Sequence, residues 1–316
     1  MSINDPAPSL APRTFRFSDV DEFRSSVRTL DVSFTPLVRR IAAEQTILQL
    51  PGFDVNFTKS FPRVIDAQLA PDCTAIGFLM DDEHRGSIRF NGMQEDRSAI
   101  VIGGGGTAYS AVELVARQYT SVVFRPEVGD RGWPESHGSF AVYEISRSAL
   151  QWLRKVVLEV LAAAAAPADG ADVGMTASAM RESLLAGADA AFASIVPARW
   201  SVRVNDGRQF KVFQDVRAVL HEDLSQPIYS EDLAKRLGVS VRTLHDTVLR
   251  YRGMSLHRYL RLRRLWLVRG RLLAGAESVK AAALASGFWH LSDFSRSYRQ
   301  QFGETPSATL ERGRRS

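Results

Sequence analysis

Two stretches near the end of the chain repeat one short pattern, and that pattern leaves few folds open. The first runs from Ser230 through Ala234, Gly238 and Ser240 to Val248. The second runs from Val279 through Ala283 and Gly287 to Phe302. In each, an alanine lies one helical turn before a glycine, and an amphipathic run follows the glycine. Glycine suits a helix end that must turn sharply through left-handed backbone, where a Cβ is disfavoured. The alanine is small enough to let two helices cross closely. Ser230 and Ser240 stand where a side-chain oxygen would cap the following helix, and Glu231 and Asp232 suit a positive helix start. Leu233, Leu237, Val239, Leu244 and Val248 would form the shared core. In the second copy Phe294 takes the place of Leu244 one residue later, so its turn is longer, and the cap falls near His290. Both copies read as helix-turn-helix units, at about 230–251 and 279–302. One such match is a modest signal; two in tandem are far more specific.

Between them, a helix over about Ser255–Leu273 carries Arg258, Arg261, Arg263, Arg264, Arg269 and Arg271. Its Leu256, Tyr259, Leu260, Leu262, Leu265, Trp266, Leu272 and Leu273 would join both units. Another helix, about Gln209–Asp223, would buttress the first. Residues 205–316 hold 20 Lys and Arg against 11 Asp and Glu, a net +9, which leaves −4 for the rest of a +5 chain. A basic unit beside a mildly acidic one points to a polyanionic partner for the basic part.

The preceding part reads differently. Residues 1–12 are polar and proline-rich, and a short helix spans about Ser18–Leu30, capped by Ser18 or Asp19. Short β-like runs follow at Gln45–Leu50, Phe53–Phe61, Arg63–Leu69, Thr74–Leu79, Gly86–Phe90, Ser98–Ile102, Glu113–Arg117 and Ser121–Phe124. Turn clusters such as Pro51-Gly52, Asn91-Gly92 and Gly103–Gly106 separate them. Strands this short and numerous imply an antiparallel barrel or jelly roll. Amphipathic helices over about Ser146–Ala164 and Ala177–Ile195 come next, with a loop over Pro167–Gly174. They either pair for dimerisation or cover the open face of the barrel. Ser201–Gln209 reads as a linker. The expected architecture is α+β: an N-terminal domain over 1–200 and an all-α domain over 205–316.

Residues from about 210 to 313 resemble the DNA-binding domain of the AraC/XylS family of bacterial transcription regulators. The resemblance rests on Gly287-Phe288, Phe294, Arg296, Tyr298, Phe302-Gly303 and Pro306 and covers about a third of the chain. Two positions depart from the family pattern: His290 stands where Ser or Asp is usual, and Thr309 where an aromatic is usual. The resemblance implies double-stranded DNA and RNA polymerase as partners. It also implies a cupin-like N-terminal domain that binds a small-molecule effector, with a homodimer possible and an activator's role.

In a helix-turn-helix the second helix enters the major groove. Candidate DNA contacts on the first are Arg242, Thr243, His245, Asp246 and Arg250, with Val241 beside them. Arg242 suits a bidentate contact to guanine. Asp246 either accepts from cytosine or orients Arg242 or Arg250. On the second helix the candidates are Leu291, Ser292, Ser295 and Arg296; Leu291 would meet a thymine methyl and Arg296 a phosphate. Trp289 is expected to pack on the connecting helix. Held rigidly, the two recognition helices would enter successive grooves about one DNA turn, roughly 34 Å, apart.

Other chemistries find little support. Gly103, Gly105 and Ala108 satisfy a loose dinucleotide pattern, yet no helical stripe follows, and a hairpin is the expected reading. His84 and His137 lack the close spacing of a metal site, and Glu135-Ser136-His137 has no nucleophile elbow. No catalytic residue, metal or cofactor is therefore assigned. Cys73 is the only cysteine, which excludes an intrachain disulfide, and it reads as a small apolar filler. No run approaches the roughly 20 apolar residues of a membrane span, and no signal peptide is visible, which fits the cytoplasm.

Overall fold

The computed structural model describes residues 11–315 apart from 28, 82–87, 96–97, 129, 135–139, 167–172, 196–203 and 223–228. His84 and His137 lie outside the described residues. The chain divides into two compact units. One comprises 1–34, 41–88 and 94–200; the other comprises 35–40, 89–93 and 201–316.

The N-terminal elements are β1 (Arg13–Phe17), α1 (Val20–Ser26), β2 (Leu30–Pro36), β3 (Ala43–Leu50), β4 (Phe53–Lys59), β5 (Arg63–Leu69) and β6 (Thr74–Leu79). There follow β7 (Ile88–Phe90), β8 (Met93–Glu95), β9 (Ala99–Gly103), β10 (Ala108–Glu113), β11 (Gln118–Phe124) and β12 (Ala141–Glu144), then α2 (Arg147–Ala165) and α3 (Val173–Ala193). The strands form a seven-stranded sheet in the order β1-β3-β4-β11-β6-β9-β12 and a five-stranded sheet in the order β2-β5-β10-β7-β8. Of the expected strands, Arg63–Leu69 and Thr74–Leu79 are found as read. The run expected at Glu113–Arg117 instead lies at Ala108–Glu113, where it pairs with β5 from Ala108↔Gln68 to Glu113↔Arg63.

The glycine-rich stretch is not a hairpin. It carries the chain from β9 in the larger sheet to β10 in the smaller one. A Cβ at Gly105 would sit 1.6 Å from the carbonyl oxygen of Pro71, so only glycine fits there. No helix follows, which removes the dinucleotide reading of this stretch.

Helices α2 and α3 cover one face of the larger sheet. Leu150, Leu153, Val157, Met180, Leu184 and Leu185 pack into one core with Leu48, Val55, Ile76, Ile102 and Val122. Gly187 permits close approach, since a Cβ there would lie 3.1 Å from Leu153 Cδ1. The helix pair thus covers a sheet face, one of the two uses expected for it. Ser146 caps α2 by accepting from the Ala149 amide at 3.2 Å, and Asp19 caps α1 through the amides of Asp21 and Glu22.

The C-terminal unit holds α4 (Val204–Glu222), α5 (Ser230–Arg236), α6 (Val241–Arg252), α7 (Leu256–Leu273), α8 (Val279–Leu284), α9 (Leu291–Phe302) and α10 (Pro306–Gly313). The supposed linker at 201–209 is helical from Val204 onward, so Asn205-Asp206-Gly207 belongs to α4. The α5-α6 unit and the α8-α9 unit match closely. Gly238 and Gly287 adopt φ of 64° and 77° in the turns, and Gly253 and Gly303 adopt 64° and 73° after α6 and α9. Ala234 and Ala283 are 3 % and 0 % exposed, as helix crossings require. Ser255 and Thr305 then cap the next helix in each half.

An ideal Cβ at Gly238 meets nothing within 4 Å, so an alanine there bears only the left-handed backbone penalty. Gly238→Ala is expected to destabilise this unit by about 1–2 kcal/mol. Gly207→Ala, also in open space but inside α4, is expected to stabilise by up to about 1 kcal/mol. Denaturant midpoints of the two variants, read on the C-terminal transition, should move in opposite directions.

Candidate nucleic-acid interface

Helix α6 is built to show one face and bury the other. Leu244 and Val248 are fully buried, while Arg242, His245, Asp246 and Leu249 are exposed at i, i+3, i+4 and i+7. Ser240 caps the helix, accepting from the Thr243 amide at 3.0 Å. Thr243 also bonds Ser240 through its hydroxyl at 2.8 Å, so it supports the cap rather than the exposed stripe. Arg242 is 92 % exposed and lies 3.7 Å from Asp246, a loose pair in water. Arg250 turns aside: it is half-buried, and its guanidinium donates to Gln209 of α4.

Ser230 does not cap α5. The cap position is Tyr229, which makes no side-chain capping bond. Ser230 is the first helical residue, and its hydroxyl meets His245 Nε2 at 3.0 Å. Helix α5 therefore fixes the orientation of a side chain on the recognition stripe.

Helix α9 repeats the plan. Phe294, Tyr298 and Phe302 are buried, and Ser292, Ser295, Arg296 and Arg299 are exposed. Its cap residue, His290, makes no side-chain capping bond, as its residue type suggested. Arg296 is 80 % exposed and lies 3.8 Å from Asp293. Two expectations change here. Leu291 is half-buried and packs on the core of this unit, because its position at the first turn lies beside Phe288. Trp289 is 57 % exposed rather than packed on α7; it sits in the longer turn, ahead of the first residue that α9 buries. Leu249 and Arg299 hold equivalent places on the two stripes and were not singled out from the sequence, although their i+7 and i+3 spacings from Arg242 and Arg296 carried the signal.

The arginines of α7 do more than present positive charge. Arg261 donates to Ser297 of α9, and Arg271 to Ser286 at 2.6 Å. Arg269 reaches Glu304 at 2.5 Å. Glu304 also receives both terminal nitrogens of Arg312 at 2.9 Å and the hydroxyl of Thr309 at 3.0 Å. The Arg312 bonds, then those of Arg269 and Thr309, lower the Glu304 carboxyl to about 2 against the opposing effect of burial. Three of the six arginines of α7 thus brace the second unit, whereas Arg258 is exposed.

Among the described residues no group of His, Cys, Asp and Glu could hold a metal ion, and no helix is long and apolar enough to cross a membrane.

A family model described as a helix-turn-helix domain matches residues 233–312. The XylDLEGF operon transcriptional activator 3 of Pseudomonas putida is 37 % identical over 103 residues, covering 32 % of this chain and 31 % of that protein. The C-terminal third is thus similar to the helix-turn-helix domain of these transcriptional activators. The HTH-type transcriptional activator RhaS of Pectobacterium carotovorum subsp. carotovorum (strain PC1) is 30 % identical over 104 residues, covering 33 % of this chain and 37 % of that protein. The chain thus spans about a third of the length of the curated relatives it matches. A crystal structure of a probable AraC family transcriptional regulator from Rhodopseudomonas palustris CGA009 is 35 % identical, with a TM-score of 0.31 over 33 % of this chain and 97 % of that one. Thr309, a departure from the AraC/XylS pattern, is accommodated without an aromatic: it is fully buried and bonds Tyr298 Oη at 2.9 Å.

Proposed function

We propose that this chain is a sequence-specific transcription activator that holds double-stranded DNA with α6 and α9. Arg242, His245 and Asp246 read base edges from one helix, and Ser292 and Ser295 from the other. Arg296 meets phosphate, and Thr243, Arg250 and Leu291 support the stripes from behind. The observation that carries this reading is the doubled one. Two helices, each closed by a left-handed glycine and buried beneath, present exposed polar stripes of the same spacing. The activator role follows the named relatives, and RNA polymerase is its partner. The N-terminal unit binds a small effector that shifts how the DNA-binding unit is presented, in a cytoplasmic protein that forms homodimers.

The test is fluorescence anisotropy of the full chain on duplex from upstream of its own gene, against a scrambled duplex of equal composition. A preference of about 10³ or more is expected at moderate salt; equal binding would refute sequence-specific recognition. Arg296→Ala should weaken both duplexes alike and lower the slope of log K against log salt by about 1. A loss confined to the specific duplex would reassign Arg296 to base reading.

A further inference from the structure

The larger sheet of the N-terminal unit packs one face on α2 and α3, and the middle of its other face is less deeply buried than the residues around it. Side chains alternate along a strand, so the residues opposite the helix-covered face can be followed across it. Ile47, Asn56, Ser121, Gly77, Val101 and Val142 are successive cross-strand partners from β3 to β12. Each is only half-buried, although the row crosses the middle of the sheet. On the other face Leu48, Val55, Ile76 and Val122 are 0–3 % exposed. An ideal Cβ at Gly77 would meet only the Thr120 carbonyl oxygen, at 3.8 Å. Among the described residues, then, a Cβ at Gly77 would meet no other atom within 4 Å.

A buried cation lies at one end of it. Tyr119 is the next residue on this face of β11 after Ser121, about 7 Å along the strand. Its hydroxyl accepts from Arg63 at 3.1 Å. Arg63 is 1 % exposed. Its Nε lies 3.3 Å from Glu113 Oε2, and that carboxylate also accepts from Ser60 at 2.7 Å. The rings of Phe34, Phe23, Phe61 and Tyr119 surround the guanidinium at 4.6, 5.2, 5.3 and 5.7 Å. One terminal nitrogen of Arg63 still makes no hydrogen bond within the chain, and neither does the buried hydroxyl of Thr58, which faces Tyr119 across the strand pair. A buried donor left without an acceptor is costly, so both groups are primed for an incoming oxygen.

We infer that this face binds a small uncharged molecule, with a carbonyl or hydroxyl oxygen at Arg63 and Thr58 and an apolar body over Gly77. The charge of the ligand follows from the site. Arg63 and Glu113 cancel, so an enclosed anion would find no spare counter-charge, and a cation would abut the guanidinium. Asn56 and Ser121 can satisfy a second polar group, while Ile47, Val101 and Val142 flank the apolar part. This deepens the effector-binding reading and rests on it.

The test uses saturation-transfer NMR on the full chain with probes matched in shape and differing in charge: hexanamide against hexanoate, and nicotinamide against nicotinate. The amides are expected to bind at least tenfold tighter than their acids. That binding should fall at least tenfold in Gly77→Leu, which fills the open space, and in Thr58→Val, which removes the hydroxyl. Acids binding as well as amides, neither class binding, or Gly77→Leu binding unchanged would overturn the proposal. DNA preference of the unliganded variants is measured in parallel and should match the parent chain. Amide binding with no DNA preference would sink the DNA reading while leaving this site intact.

Discussion

Glu304→Ala should destabilise the C-terminal unit by about 3 kcal/mol near neutral pH. The carboxylate is the single acceptor through which Arg269, Arg312 and Thr309 tie α7, α10 and the α9–α10 turn together. Its side chain and that of Arg269 are 22 % and 20 % exposed, so removing it leaves a largely desolvated guanidinium without its counter-charge. Breaking one partner of such a pair costs about 3–5 kcal/mol, and the partial exposure of Arg312 places the expectation at the lower end. Because the folded-state carboxyl is depressed to about 2 from an ordinary 4.5, its stabilisation is fully present above 4.5. It is then lost as pH falls from 4.5 toward 2. Hydrogen exchange of α9 and α10 amides in the full chain reads this unit alone. The parent should lose protection across that window, and Glu304→Ala should show neither the loss nor the original protection. A variant within 0.5 kcal/mol of the parent would mean the network contributes nothing net.

Arg242→Ala should lower affinity for the cognate duplex by about 1–3 kcal/mol, about fivefold to 150-fold, and relax preference at one base pair. The side chain is almost wholly exposed at the start of α6, with Asp246 near enough to steady it but not to hold it. Its removal therefore costs the fold little, and the loss falls on the complex. Selection of binding sites from a randomised duplex pool, run with parent and variant, separates the outcomes. Loss of information at one position identifies base reading, whereas a uniform drop across all sites would make Arg242 a phosphate contact.

The doubled motif was legible because its signals are backbone requirements. Gly238, Gly287, Gly253 and Gly303 all need left-handed backbone, and Ala234 and Ala283 mark close crossings, so position alone carried the geometry. What escaped depends on partners far apart in the chain. Periodicity showed a basic rod in α7, but nothing local tells that Arg261, Arg269 and Arg271 turn toward Ser297, Glu304 and Ser286. The replacement of an aromatic by Thr309 was visible; the Tyr298–Thr309–Glu304 bonding that accommodates it was not. In the N-terminal unit β1 went unread: Arg13–Phe17 is only five residues long and almost wholly exposed, so it contributes little to the core. Arg63 opens the strand β5, and only the pairing of β5 with β10 brings Glu113 beside it.

The central claim is that one chain places two recognition helices at a fixed separation through α7. Its most direct test is affinity of the full chain for its selected site after a five-base-pair insertion between the two contacted segments. Half a turn moves one segment to the opposite face of the duplex. Affinity is then predicted to fall at least a hundredfold, toward the level of unrelated DNA. Affinity within threefold of the uninterrupted site would contradict the claim.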